Sequence, residues 1–244
     1  MFPIRDHNPS LRTPWVTWAI IALNVAAFVL TMPWGGGMSG LWEYGALYPA
    51  AVTQGAWLHG LVTHMFLHAG LMHLAGNMLF LWVFGDNLEE QLGHLGFALF
   101  YLAGGLAAAA AQIAADPASG IPMVGASGAI AGVMGGYLLM FPRARVDVLF
   151  IFIVFFRIFP IPAWIVLGAW FALQVFNGTT AGIGDGVAYW AHAGGFAAGV
   201  LLMLPVWLRR GGARYWGRTQ GHPPHPEAQY QRSRIPVVPR RRRR

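Results

Sequence analysis

Four polar residues of this chain are of types that, held together, could carry out acyl transfer: Ser127, His192, Asn77 and His73. Ser127 lies in Gly125-Ala126-Ser127-Gly128, where a short loop gives way to an apolar run. Glycines around a hydroxyl let a substrate carbonyl approach the main chain closely. A serine is a weak nucleophile until a base takes its proton, and neutral imidazole is the usual base. His192, in Ala191-His192-Ala193-Gly194-Gly195, can play that part. The oxyanion of the tetrahedral intermediate needs preorganised donors, and the Asn77 amide, the His73 ring and the Ser127 backbone N–H are candidates. Taken alone, Gly-x-Ser-Gly is a weak signal, because small residues that let two membrane helices touch give the same pattern.

The elements that must position these groups are membrane spans. The chain has 244 residues, 56% hydrophobic and 10% charged, against about 25% charged in a soluble domain. Apolar runs at 15–32, 71–88, 96–115, 127–141, 160–176 and 187–208 read as six transmembrane helices. Residues 34–67, rich in Trp, Tyr and Gly, read as a membrane-associated first outer loop. The run 146–156 is too short to cross as a helix and reads as a membrane-skimming connector. The fold expected is therefore all-α, a polytopic six-helix bundle. Counting residues to each helix's inner end puts Ser127 at ~21 Å, His192 at ~24 Å and Asn77 at ~18 to 21 Å. His73 lies one turn further out on the Asn77 face. No Asp or Glu falls at this depth, so a dyad is expected rather than a triad. Polar residues inside a bilayer are functional suspects by default.

Charge sets the orientation. With both ends inside, all 16 basic residues (every one an arginine) fall on the cytoplasmic side, including Arg143, Arg145 and Arg157. The expected division is a leader at 1–14, a membrane domain at 15–208 and a disordered, arginine- and proline-rich cytoplasmic tail at 209–244. The tail reads as a topology anchor or a contact with anionic lipid, and nucleic acid is not an expected partner. The chain reads as a multi-pass protein of a bacterial plasma membrane. With no cysteine, thiol nucleophiles and thiolate metal sites are excluded, and no cofactor or metal is expected.

The set His68-Ala-Gly-Leu-Met-His73-Leu-Ala-Gly-Asn77, then Gly125-Ala126-Ser127-Gly128, then Ala191-His192-x-x-Gly195-x-x-x-Gly199 resembles the rhomboid intramembrane serine proteases, in order and spacing from about Trp15 to Leu208. The resemblance implies a six-helix core that cleaves transmembrane substrates near their extracytoplasmic end. It implies Ser127 and His192 as the dyad and His73 and Asn77 in the oxyanion hole. Gly195 and Gly199 match the small-residue stripe that packs the last helix on the serine helix, with Gly125 and Gly128 as further support. Glu89 resembles a family glutamate with a structural role, and His68 reads as a structural loop histidine, as does His64. Two departures stand out. The first outer loop has Trp57-Leu58-His59-Gly60 where the family often has Trp-Arg. Ala131 occupies the place of a tyrosine that stacks on the histidine in many members, which leaves Tyr189 and Trp190 as neighbours that could support the His192 ring.

Two rival readings come from other classes. An inactive rhomboid-like protein would bind membrane clients without cutting them, but such proteins usually lack the serine or the histidine. A metal transporter could use His64, His68 and His73, whose spacing is near-helical, although no intramembrane carboxylate or cysteine accompanies them. Elsewhere, Asn24 reads as interhelical glue and His94 as a solvated loop residue.

Overall fold

The structure, a computed structural model, describes residues 2–8, 10–32, 40–152, 155–180 and 186–224. The chain opens with strand β1 (Phe2–Asp6) and helix α1 (Trp15–Thr31). Three short helices follow, α2 (Gly40–Gly45), α3 (Pro49–Thr53) and α4 (Gly60–Thr63), then a single 3₁₀ turn at His64–Phe66. Helix α5 (Leu71–Ala115) is next, then α6 (Ser127–Met140), strands β2 (Arg145–Phe152) and β3 (Phe155–Pro162), α7 (Ala163–Thr180), α8 (Tyr189–Arg209) and α9 (Ala213–Thr219). Helix α5 is two helices in one run. Gly93 takes φ +72°, a left-handed conformation that glycine adopts without steric cost, and the run kinks there. Counted that way, the bundle has six long helices among the described residues. By length and hydropathy α5 and α8 each suffice to cross a bilayer, while α1 and α6 are shorter apolar helices.

Helix α6 sits at the centre, packed on α5 and α8, with nearly every side chain buried. Glycine makes the contact with α8 close. A side chain at Gly195 would run into the Gly128 carbonyl, one at Gly199 into that of Gly132, and one at Gly135 into that of Phe196. The two helices therefore meet backbone to backbone.

Three expectations need correction. The connector at 146–156 is built of paired antiparallel strands over its described residues, 146–152 and 155–156, in which Val146 pairs with Ile161 and Phe150 with Arg157. The leader supplies a third strand, β1 beside β2, so the architecture is helical with one small sheet rather than all-α. Pro160 and Pro162 belong to β3, and the helix after it starts at Ala163. Residues 209–224 are not a disordered tail. Within them α9 packs back, with Trp216 Nε1 donating to the Leu139 carbonyl at 3.0 Å and Arg143 N–H donating to that of Gly221 at 3.0 Å. The rest of the tail, 225–244, lies outside the described residues, as do 33–39 of the outer loop.

Buried carboxyls tie this end together. Pro14 gives α1 no side-chain cap, and Glu89 of α5 supplies one. Its carboxylate accepts from the Val16 and Thr17 N–H groups at 2.9 and 2.8 Å and from Thr17 Oγ1 at 2.7 Å, satisfying donors that a helix start leaves open. His94 is not merely solvated, because its Nδ1 lies 2.6 Å from Glu89 Oε1. Asn24 Nδ2 donates to the Ile20 carbonyl of its own helix at 2.8 Å, and its side chain also meets Tyr101 of α5. In the sheet, Asp147 takes Arg5 Nε at 2.6 Å and His7 Nε2 at 2.7 Å. Burial pushes its pKa up, but these two bonds outweigh that and hold it below the ordinary carboxylate value.

Asp6 closes β1 onto the bundle, its Oδ2 accepting from Asn87 Nδ2 at 2.7 Å and from Tyr137 Oη at 3.0 Å. Burial first, then the charge of Asp86, pushes its pKa up to about 8, with the bonds from Tyr137 and Asn87 opposing. A carboxyl raised in the folded state stabilises most below its unfolded pKa of about 4 and loses that contribution as pH rises through about 8. The Asp6 contribution to the unfolding temperature in detergent is therefore expected to shrink from pH 4 to 8, against an opposite contribution below about pH 6.5 from buried neutral histidines such as His64. Asp6→Asn keeps an acceptor oxygen without the titration and should remove that decline.

Candidate active site

The loop before α6 is held from the outer-loop side. Leu47 and Met123 exchange N–H···O=C bonds of 3.0 and 2.8 Å, and Gly125 N–H donates to the His64 carbonyl at 2.9 Å. His64 is itself pinned, its Nδ1 lying 2.7 Å from the Gly60 carbonyl. Burial pushes the His64 pKa down to about 4, so the ring stays neutral at ordinary pH. Gly125 takes φ +128°, and a side chain there would lie 2.8 Å from His73 Nε2 and 3.5 Å from Ser127 Oγ. The missing side chain thus leaves a small hollow flanked by both groups.

Ser127 opens α6 and His192 lies in the first turn of α8, and both are half-buried. The glycine-mediated crossing brings Ser127 Oγ to 2.7 Å from His192 Nε2, so that the hydroxyl can donate to the ring. Gln112, from the end of α5, accepts from Ala191 N–H at 3.1 Å and satisfies an open donor at the start of α8. His73 receives Ala69 N–H on Nδ1 at 3.4 Å, which leaves the ring proton on Nε2, the nitrogen facing the Gly125 hollow. Asn77 is buried, and its Nδ2 donates to the His73 carbonyl one turn back at 2.9 Å. His68 is buried edge-on to His73 at 5.0 Å between ring centroids, and its carbonyl accepts from Trp42 Nε1 at 3.1 Å.

Sequence reasoning left open what supports the His192 ring, and the structure places the neighbours elsewhere than in Tyr189 and Trp190. Those two lie against Gly178. The ring instead meets α7, where Gln174 Oε1 is 2.8 Å from Nδ1 and the Trp170 ring is 5.7 Å away, tilted by 36°. Neither residue carries a motif, and only their position one turn apart on an apolar helix marked them. No group of three or more His, Cys, Asp and Glu side chains is placed to hold a metal among the described residues.

Fold and site together define a class: a bundle of apolar helices with a serine–imidazole contact where two glycine-packed helices cross. Comparison with known proteins agrees. The rhomboid domain pattern matches residues 53–209, and the chain belongs to the rhomboid family, whose members are integral membrane proteins. It is 38% identical over 127 residues to "Rhomboid protease GluP" of Bacillus subtilis, covering 51% of this chain and 24% of that protein. It is 30% identical over 203 residues to "Rhomboid protein 1, mitochondrial" of Saccharomyces cerevisiae, covering 76% and 51% respectively. "Putative rhomboid protease YdcA" of Bacillus subtilis shares 34% over 140 residues, 57% of this chain and 63% of that one. The chain thus spans about a quarter of the first of these relatives and about half of the second.

Gly125→Ala should cost about 1–2 kcal/mol, because it combines a strained φ with a collision at His73. Thermal unfolding beside Gly120→Ala, where a side chain meets open space, is the measurement.

Proposed function

We propose that the chain is a serine endopeptidase that cuts transmembrane protein substrates inside the bilayer, near their extracytoplasmic end, with Ser127 and His192 as its dyad. The observation that carries this reading is the 2.7 Å contact between Ser127 Oγ and His192 Nε2. Distance and direction suit proton transfer from the hydroxyl to the ring as the oxygen attacks a carbonyl. The imidazolium so formed returns its proton to the leaving amine. Water repeats the sequence on the acyl-enzyme. The oxyanion would point to the Gly125 hollow, which His73 Nε2 faces, with the Ser127 backbone N–H as a further candidate donor. Asn77 spends one amide N–H on the His73 carbonyl and keeps the second for the oxyanion.

In this reading the six long helices are six spans, with the sheet, α9 and the arginines on the cytoplasmic side. Helix α6 supports a recessed site: its 14 residues rise about 21 Å against a hydrocarbon core of about 30 Å. Its serine end would therefore lie several Å below the outer surface, where water must reach it through a cavity. The rivals differ in what they ask of Ser127, since neither client binding nor metal transport requires a nucleophile.

A fluorophosphonate probe should label Ser127 with or without chelator, and Ser127→Ala should abolish labelling. Ser127→Ala and His192→Ala should each abolish cleavage of a transmembrane reporter while unfolding at the parental temperature. Continued cleavage by the Ser127→Ala protein would overturn the reading. Asn77→Ala should lower kcat by about 10²- to 10³-fold, the range for losing one oxyanion donor, and unchanged turnover would remove Asn77 from that role.

A further inference from the structure

We propose that Gln174 is the positioning residue that sets the tautomer and orientation of His192, making the site a hydrogen-bonded Ser–His–Gln triad. The proposal rests on the protease reading above. A neutral imidazole has one N–H and one lone pair. To accept the Ser127 proton, Nε2 must be bare, so the ring proton must sit on Nδ1 and find an acceptor there. Gln174 Oε1 lies 2.8 Å from Nδ1, and Gln174 is buried, which shelters the bond from water.

Which way the amide faces decides the outcome. Turned around, its NH₂ would donate to Nδ1, drive the ring proton to Nε2 and disable the base. The helix itself supplies the bias, because Gln174 Nε2 donates to the Trp170 carbonyl one turn back at 3.4 Å and leaves Oε1 turned to the ring. The same residue's indole lies beside the imidazole, on a helix backed by the stack of Phe171 on Phe196 at 4.7 Å. One turn of α7 thus holds the ring by an edge and a face, although α6 has only Ala131 where an aromatic could stand. An amide also suits the depth, since it accepts the Nδ1–H hydrogen bond without placing a charge among apolar helices.

Two variants of the full chain, assayed on a transmembrane reporter in detergent, separate positioning from packing. Gln174→Met keeps the volume and removes the acceptor. It should lower kcat by about 10²- to 10⁴-fold, the scale of a wrong tautomer, with KM and unfolding temperature near parental. Gln174→Glu restores an acceptor and should keep most of the turnover. Its carboxylate favours the imidazolium, so the acid limb of its kcat profile should move to higher pH. Parental kcat in the Met variant, equal losses in both variants, or an unmoved acid limb in the Glu variant would each overturn the proposal. The limb serves as a second measurement should the Met variant fold poorly. If the parental chain neither cleaves nor takes a fluorophosphonate on Ser127, the protease reading itself fails. Loss of the Gln174 role alone leaves parental cleavage intact.

Discussion

The backbone contact between α6 and α8 is the constraint on which the rest of the structure depends. The backbones of Gly128 and Gly132 on one helix face Gly195 and Gly199 on the other, and a single carbon added at either of the latter two would run into a carbonyl. Only at that separation does a residue opening α6 reach one in the first turn of α8, and Ser127 and His192 are those two. Both helices then share α5 as a third wall. Small side chains make the association close where lipid offers little hydrophobic drive to bring helices together.

Around this crossing, buried polar groups find partners distant in the chain. Glu89 caps α1 across 72 residues, Gln112 meets the start of α8 across 79, Asp6 reaches Tyr137 across 131 and Gln174 meets His192 across 18. Leaving a polar group unpaired in an apolar interior is costly, so each bond also fixes the register of the elements it joins. The Asp6–Tyr137 bond ties the strand at the chain's start to the helix whose other end carries the serine. The hydrogen-bonded loop of Leu47, His64, Met123 and Gly125 does the same for the opposite end of that helix.

Much of the fold was legible, because long apolar runs ending at Gly and Pro leave few alternatives to helices, and the six expected runs correspond to long helices once α5 is divided at Gly93. The sheet was not. Residues 146–156 were too short to span as a helix, but of their partners Phe2–Asp6 lies far away and the stretch through Pro162 carries two prolines that argue against a strand, and strand pairing leaves no local mark. Arginine content also disguised 209–224, whose Trp216 is anchored by the Leu139 carbonyl. Composition reports what a segment can do alone and is silent on a partner waiting elsewhere.

At the candidate site, the motifs around His73, Asn77, Ser127 and His192 suggested the proposed chemistry from residue types, order and helical periodicity, all of which a linear chain records. Tertiary structure decided which atoms meet: His73 Nε2 at the Gly125 hollow, the Asn77 amide on its own helix, and Gln174 with Trp170, rather than Tyr189 and Trp190, around the imidazole. The physical reason is that a hydrogen bond depends on tenths of an ångström and on direction. Those are properties of helix crossings and loop anchors, set by many contacts at once and encoded in no single stretch of sequence.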